Sequence, residues 1–334
     1  MTAASGVGSH PGSDQAAYDE ALRLVLGELP DLPYVPEVPG RGAPAGMTGR
    51  SLALLSGLAA DLQPAGWRLS GAAGIDHRRA VSLLARDLDA LEEQTQDYAG
   101  RFKTQVAGPW TLAATVERPR GDRVLADVGA RRDLAQSFAE GLRGHVTELR
   151  RRVPGATWVV QIDEPSLPAV LSGAVPTASG LHRHRAVDPQ TAAEALGWVL
   201  DAVRSAEAEP VVHCCADDVP LELLAGLGGA ATIAPGISLD LDRLKAGQYD
   251  QVAEALEAGR RVLLGVVPAV RPAGSSDEPD ARSVTERVER LLDLLGLAPT
   301  PDLVLTPACG LAGADAAWVR TALDLCVTAA RNLA

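Results

Sequence analysis

Long apolar runs are missing from this 334-residue sequence. The longest uninterrupted one, residues 262–270, falls far short of the ~20 residues that span a membrane, and it contains Pro268. The first fourteen residues have neither the basic region nor the apolar region of a secretory signal. We therefore expect a cytoplasmic protein with no membrane partner.

Basic charge and cysteine are also in short supply. The chain has 31 Lys and Arg against 43 Asp and Glu, a formal net charge of −12, which argues against nucleic acid as a partner because phosphate binding needs a basic face. Four cysteines in so long a chain exclude a disulfide scaffold. Cys214 and Cys215 are adjacent, whereas Cys309 and Cys326 lie far downstream, and in a reducing cytosol this distribution favours a metal or catalytic site.

What the chain does contain is an alternation of short apolar runs with longer amphipathic ones. A 46% hydrophobic content and a mean hydropathy of +0.04 are typical of a soluble globular protein. Strands are predicted at residues 3–9, 66–70, 102–107, 158–163, 210–214, 232–239, 261–267 and 303–306. Helices are predicted at 15–26, 77–96, 131–152, 191–207, 220–227, 248–258, 283–295 and 314–332. Eight strands, each followed by a helix, predict an α/β fold, a (β/α)8 TIM barrel forming a single domain over residues 1–334. A doubly wound open sheet is the competing interpretation.

Three segments interrupt this pattern. Residues 29–46 carry five prolines, which exclude a helix and favour extended chain. Residues 268–280 are rich in Pro, Gly, Ser and Asp, and we expect a mobile loop there. Residues 167–188 form another long connection after a strand, of the kind that builds the active site of a barrel.

Polar residues cluster where the predicted strands end. The first strand ends in Gly8-Ser9-His10, the fourth in Asp163-Glu164, and the fifth in His213-Cys214-Cys215. The sixth ends in Asp240, and the eighth is followed by Cys309. In a barrel all of these residues gather at the C-terminal mouth, where barrel enzymes carry out their chemistry.

A metal site follows from this placement. His213 and Cys215 are two residues apart at a strand end, so both side chains point the same way and can reach one ion. With Cys309 and Asp240 they form a zinc-type ligand set. Ser238, Asp242, Glu164 and water are alternatives to Asp240. Two thiolates and a carboxylate over-neutralise Zn²⁺, which favours alkylation of a bound thiol over activation of water.

The motifs occur in a characteristic order, namely Val7-Gly8-Ser9, Gly108-Pro109-Trp110-Thr111, Gln161-Ile162-Asp163-Glu164-Pro165, His213-Cys214-Cys215 and Pro307-Ala308-Cys309-Gly310-Leu311. Together they resemble the catalytic barrel of cobalamin-independent methionine synthase. The full-length plant and enteric enzymes of that family have an additional N-terminal barrel, for which 334 residues leave no room. The chain therefore looks like a single-barrel, or core, relative.

The resemblance implies zinc held by His213, Cys215 and Cys309, with a fourth ligand near the sixth strand, where the family usually has a glutamate and this chain offers Asp240. It implies homocysteine as methyl acceptor. Asp163 would receive the amino group, and Gly8 and Ser9 would meet the carboxylate. We further expect Glu164 and Trp110 at the substrate site, because the first follows Asp163 and the second belongs to the turn after the third strand.

The part of the pattern that binds folate is weak. Alignment places Thr115 where the long enzymes have an aromatic residue that stacks on folate, Ala169 where a glutamate meets the pterin, and Val267 where a histidine assists proton transfer. Short members of the family are thought to take the methyl group from a methylated corrinoid, so we expect that donor rather than 5-methyltetrahydrofolate.

The predicted function is zinc-dependent transfer of a methyl group to homocysteine, which gives methionine. The first alternative is a methyltransferase that acts on coenzyme M or another small thiol. Asp163 favours homocysteine over these acceptors, because only an amino-acid acceptor needs an anion for its ammonium. The second alternative is a non-catalytic paralogue that binds zinc or a corrinoid, which the absence of a histidine after the seventh strand keeps open.

Overall fold

The fold is built around one curved sheet of parallel strands, seen in a computed structural model that describes residues 2–228, 233–274 and 278–333. The strands of the described chain are β1 Ala3–Ala4, β2 Ala59–Gln63, β3 Gly66–Ser70, β4 Gly100–Ala107, β5 Ala156–Asp163, β6 Glu209–Cys214, β7 Gly236–Asp240, β8 Val262–Val267 and β9 Leu303–Pro307. Seven of them form the sheet in the order β1-β9-β8-β7-β6-β5-β4, and every neighbouring pair is parallel.

Helices connect the strands and cover the sheet. They are α1 Gln15–Glu28, α2 Met47–Leu52, α3 Ile75–Gln94, α4 Pro109–Thr115, α5 Val128–Arg152, α6 Leu167–Ser172, α7 Pro189–Ser205, α8 Leu221–Ala225, α9 Tyr249–Glu257, α10 Ala281–Leu295 and α11 Ala316–Asn332. Aspartate side chains cap the N-termini of five of them, at Asp14, Asp127, Asp188, Asp280 and Asp315. None of the described helices has an apolar stretch long enough to cross a membrane.

The barrel is closed by the proline-rich segment. Tyr34 bridges to Lys103 of β4, and Glu37 bridges to Ser9 just beyond β1, both in parallel. Val35 donates its N–H to the carbonyl of Lys103 (2.8 Å). Glu37 donates to the carbonyl of Gly8 at 3.0 Å. Prolines remove backbone donors, so the segment makes isolated bridges where the other strands make ladders.

The second barrel strand was therefore predicted at the wrong place. Residues 66–70 do form a strand, β3, but it pairs antiparallel with β2 in a hairpin separate from the barrel sheet. Trp67 and Leu69 are buried while their neighbours are partly exposed, the alternation of a strand with one covered face. Residues 29–46 were correctly predicted as non-helical in their extended part, although single 3-10 turns follow at Pro39–Arg41 and Ala43–Ala45.

The other elements agree with the predicted TIM barrel within a few residues at their ends, except for the first strand, which was predicted at residues 3–9 and spans only Ala3–Ala4. The connection 167–188 contains the short helix α6, which was not predicted. The sixth strand begins at Gly236, and the predicted start at residue 232 lies outside the described residues. Of the predicted loop 268–280, residues 275–277 also lie outside them, and its mobility stays a prediction.

The barrel interior is apolar at one end and polar toward the mouth. Six buried side chains fill the N-terminal end, namely Ala3, Leu32, Val159, Val211, Leu263 and Val304. Side chains alternate along a strand, so the residues two positions further on face the same interior. Gln161 follows Val159 and His213 follows Val211 in this way, and polar groups thereby become concentrated at the mouth.

Candidate metal and substrate site

Three predicted ligands meet at the C-terminal mouth of the barrel. His213 is the penultimate residue of β6, Cys215 directly follows that strand, and Cys309 follows β9. One ligand atom from each lies within 4.8 Å of the other two, and the two sulfurs are 3.3 Å apart. Residues 94 positions apart in the sequence are thus brought together by the closure of the barrel.

The imidazole of His213 is oriented toward this cluster by Ser238. Its Nδ1 lies 2.9 Å from the hydroxyl of Ser238, which stands beside it in β7. Its Nε2 is buried, and among the described residues it has no hydrogen-bond partner. In metal-binding histidines, one ring nitrogen is usually held by a hydrogen bond and the other binds the metal. The hydrogen bond to Ser238 leaves Nε2 free for that role in the same way.

The thiols have ionisation properties that suit a metal ligand set. The pKa of Cys309 is lowered to about 4 by the hydrogen bond between the two sulfurs and by the nearby imidazole of His213. The same hydrogen bond, together with burial, raises the pKa of Cys215. The two sulfurs therefore keep one proton between them, and a bound cation would displace it, which fits a Cys₂His site for Zn²⁺. The residues present therefore fit this metal.

Asp240 does not join the cluster as predicted. Its carboxylate accepts the N–H of Asp242 at 3.0 Å and pairs with Arg243 at 3.3 Å. The chain enters a 3-10 turn at Leu241, and Asp240 caps that turn. A short polar side chain at the start of a turn often hydrogen-bonds to the backbone of that turn. Asp240 does so, and its position at the end of a barrel strand therefore did not make it a ligand.

A cavity of about 260 Å³ opens next to the three ligands. Gly8, Ser9 and Asp163, three of the predicted substrate contacts, line it together with the cluster. Gly8 has φ +155°, and a Cβ there would lie 2.6 Å from the side chain of Gln105, so the close approach of these two segments requires glycine.

Two carboxylates line this cavity. Asp163 accepts a hydrogen bond from Gln161 Nε2 at 2.7 Å, and burial raises its pKa to about 7. Glu37, which the sequence analysis did not identify, also faces the cavity and pairs with buried Arg50 at 3.4 Å. It was overlooked because it lies in the proline-rich segment, where no strand was predicted.

Glu164 and Trp110 lie outside the cavity lining, contrary to prediction. Glu164 is fully buried and accepts the N–H groups of Trp110 (2.9 Å) and Thr111 (2.8 Å) and the hydroxyl of Thr111 (2.8 Å). The indole of Trp110 donates to the carbonyl of Ala192 at 3.0 Å. Both side chains hold the start of α4 against β5 and α7, so their polar atoms are already used.

The positions aligned with folate contacts carry no free polar group at the mouth. Val267 is fully buried at the end of β8. Thr115 donates its hydroxyl to the carbonyl of Thr111 within α4 at 2.7 Å. Ala169 lies in α6 and has no polar side-chain atom.

Comparison with known proteins shows the family of the chain and supports its fold. The model of the cobalamin-independent synthase catalytic domain matches residues 91–332, which is more than half of the chain. Among solved structures, the B12-independent methionine synthase from Shewanella sp. W3-18-1, in complex with selenomethionine, superposes with a TM-score of 0.63 at 15% identity. That match covers 100% of this chain and 98% of the other, and at this identity it shows the fold alone.

A second solved structure is more distant. The β-mannanase from the blue mussel Mytilus edulis has a TM-score of 0.48 at 11% identity, over 97% of this chain and 90% of the other. No curated protein matches the sequence.

Proposed function

The chain belongs to the cobalamin-independent synthase catalytic-domain family, and from this premise we propose that it transfers a methyl group to the thiol of L-homocysteine and so forms methionine. The observation that carries the proposal is the composition of one cavity. His213, Cys215 and Cys309 line one part of it, and the carboxylates of Glu37 and Asp163 line another. A ligand with a thiol and an ammonium group matches both parts.

The metal part of the site is proposed to hold Zn²⁺ through His213, Cys215 and Cys309. Such an ion lowers the pKa of a substrate thiol and keeps its sulfur nucleophilic. The two cysteine thiolates and the neutral imidazole balance the charge of the ion without Asp240. Two thiolates also keep the sulfur of a bound thiol electron-rich, which suits its alkylation.

The amino-acid part orients the acceptor. Asp163 and Glu37 bind the ammonium, since a buried carboxylate favours a cation as its partner. The hydroxyl of Ser9 and the backbone at Gly8 receive the carboxylate. With both ends fixed, the sulfur is held in position for in-line attack. The thiol proton leaves to solvent, the new S–CH₃ bond forms, and the electron pair of the broken bond between the methyl carbon and its donor stays with the donor.

A methylated corrinoid is the donor that we propose. It is supported by Thr115, Ala169 and Val267, whose side chains offer no aromatic face, carboxylate or imidazole to a pterin. The family description as cobalamin-independent points the other way, so methylcobalamin and 5-methyltetrahydrofolate are both needed as arms of the test.

The metal test compares neighbouring cysteines. We expect one zinc per chain in the wild type and in Cys214→Ser, whose thiol is buried away from the cavity, and loss of zinc in Cys215→Ser. The Cys326→Ser variant, also buried elsewhere, is a second control. A wild-type protein that binds no zinc would remove the basis of the proposal.

The activity test gives the zinc-loaded protein L-homocysteine with each donor and measures methionine. Turnover with 5-methyltetrahydrofolate alone would overturn the proposed donor. Methylation of coenzyme M that survives Asp163→Ala would favour the small-thiol alternative. Homocysteine binding without product from either donor would favour a non-catalytic paralogue.

A further inference from the structure

A lysine lies inside the barrel directly beneath the candidate site. Lys103, in β4, is fully buried, and its Nζ donates to three oxygens: the carbonyl of Val7 (2.9 Å), Oε1 of Gln161 (3.0 Å) and Oε1 of Gln105 (3.3 Å). A buried lysine is costly unless each of its hydrogens has a partner, and here three partners are present.

The partners of Lys103 lead to every segment that forms the amino-acid part of the cavity. Val7 immediately precedes Gly8 and Ser9. The Nε2 of Gln161 donates to Oδ1 of Asp163 at 2.7 Å and to the carbonyl of Val7 at 3.0 Å.

The third branch reaches the proline-rich segment. The Nε2 of Gln105 donates to the carbonyl of Val35 at 2.7 Å, two residues before Glu37. All three substrate-contacting segments are therefore one or two hydrogen bonds from Lys103.

The direction of these hydrogen bonds matters. An ammonium can only donate, so both amide oxygens must face Lys103. Both amide nitrogens are then turned outward, one toward Asp163 and the other toward the segment that carries Glu37. Burial lowers the pKa of Lys103 to about 7, and the charges of Asp163 and Glu37 oppose that shift.

We propose that Lys103 is a positioning residue for the amino-acid substrate, which it does not touch. Through Gln161 and Gln105 it sets the carboxylates that bind the ammonium, and through Val7 it sets the backbone that meets the carboxylate. This inference rests on the proposed function, because it assumes a zwitterionic acceptor in the cavity.

The test measures binding of L-homocysteine to zinc-loaded protein by calorimetry, together with zinc content and steady-state kinetics. Lys103→Met keeps the length of the side chain and removes the donors. We expect the Kd and the KM for homocysteine to rise about tenfold or more, with one zinc per chain and a kcat at saturating homocysteine close to the wild-type value. The matched control is Thr104→Val, a buried neighbour whose side chain faces the opposite side of β4.

A double-mutant cycle separates positioning from a merely structural role. If Lys103 acts through Gln161, Lys103→Met costs clearly less affinity in a Gln161→Met background than in the wild type. Lys103→Gln, which retains one amide donor, is the second variant should Lys103→Met be insoluble, and its Kd is expected to lie above the wild-type value.

Each outcome decides something. A wild type that binds no homocysteine refutes the proposed function. A wild type that binds it while the soluble Lys103 variants bind equally well, or lose zinc instead, refutes only the positioning role. Full additivity in the cycle refutes the action of Lys103 on Asp163 through Gln161.

Discussion

The start of α4 depends on one buried carboxylate, and this dependence can be measured. Glu164→Ala removes the only acceptor that the structure shows for the N–H groups of Trp110 and Thr111. An unpaired buried donor costs about 1–3 kcal/mol, so the two amides predict a loss of roughly 2–6 kcal/mol in the free energy of unfolding. Since folded domains are stable by only about 5–15 kcal/mol, the effect is large. Glu164→Gln keeps one acceptor oxygen, and we expect a smaller loss.

Urea unfolding followed by circular dichroism gives the stability, and calorimetry gives the affinity for homocysteine. Asp163→Asn is the matched control next to it, because Asp163 lines the cavity. We expect that variant to weaken homocysteine binding and to change the urea midpoint less than Glu164→Ala does.

The pH dependence supplies a second readout. Burial raises the pKa of Glu164 from 4.5 to about 7. A carboxyl whose pKa is raised on folding contributes stability below its unfolded pKa and loses that contribution as the pH rises through the folded value. Relative to Glu164→Gln, the wild type should therefore lose about 3 kcal/mol between pH 4.5 and pH 7.

Two results would refute this reasoning. If Glu164→Ala unfolded at the wild-type urea concentration, the buried donors would have other partners. If Glu164→Gln kept wild-type stability but lost homocysteine binding, the carboxylate would be a substrate contact, as the sequence suggested.

Three further predictions concern the site and its support. Gly310→Ala should weaken zinc binding measured by competition with a chelator, because its Cβ would overlap the hydroxyl of Ser9; Gly313→Ala, whose nearest neighbour would be 3.6 Å away, is the control that should bind normally. Asp240→Ala should retain one zinc per chain by metal analysis, and a loss would restore that carboxylate as a ligand. Arg50→Met should lower the thermal midpoint strongly, since breaking a buried ion pair costs about 3–5 kcal/mol; an unchanged midpoint would show that its two carboxylate partners are accommodated without it.

The clustering of the candidate metal ligands was predictable because two simple rules apply to them. Residues two apart on a strand share a face, and parallel strands of a barrel end at one mouth. These rules placed His213, Cys215 and Cys309 together from the sequence alone. Asp240 obeys the same rules, but its carboxylate caps a turn whose start the sequence did not reveal.

Lys103 and Glu37 were missed for different reasons. A lysine within a predicted strand is normally assumed to face solvent. The only sign of an interior position was that Lys103 lies two residues from Gln105, so that both side chains are on the same face of the strand. Glu37 lies in the proline-rich segment, which was not predicted to be a barrel strand because prolines are rare inside sheets. Its place depends on closure between distant parts of the chain, which local patterns do not encode.

The segment that closes the barrel also determines where the wall of the cavity is weakest. Between β1 and β4, single bridges take the place of a continuous ladder, so fewer backbone hydrogen bonds need to break there than along the eight paired residues of β4 and β5. Proline stiffness limits the number of shapes that this seam can adopt once it opens. Amide hydrogens of Val35 and Glu37 should accordingly exchange with solvent earlier than those in the middle of β5. The side of the barrel that carries the cavity-lining carboxylate of Glu37 would then be the side that opens most readily.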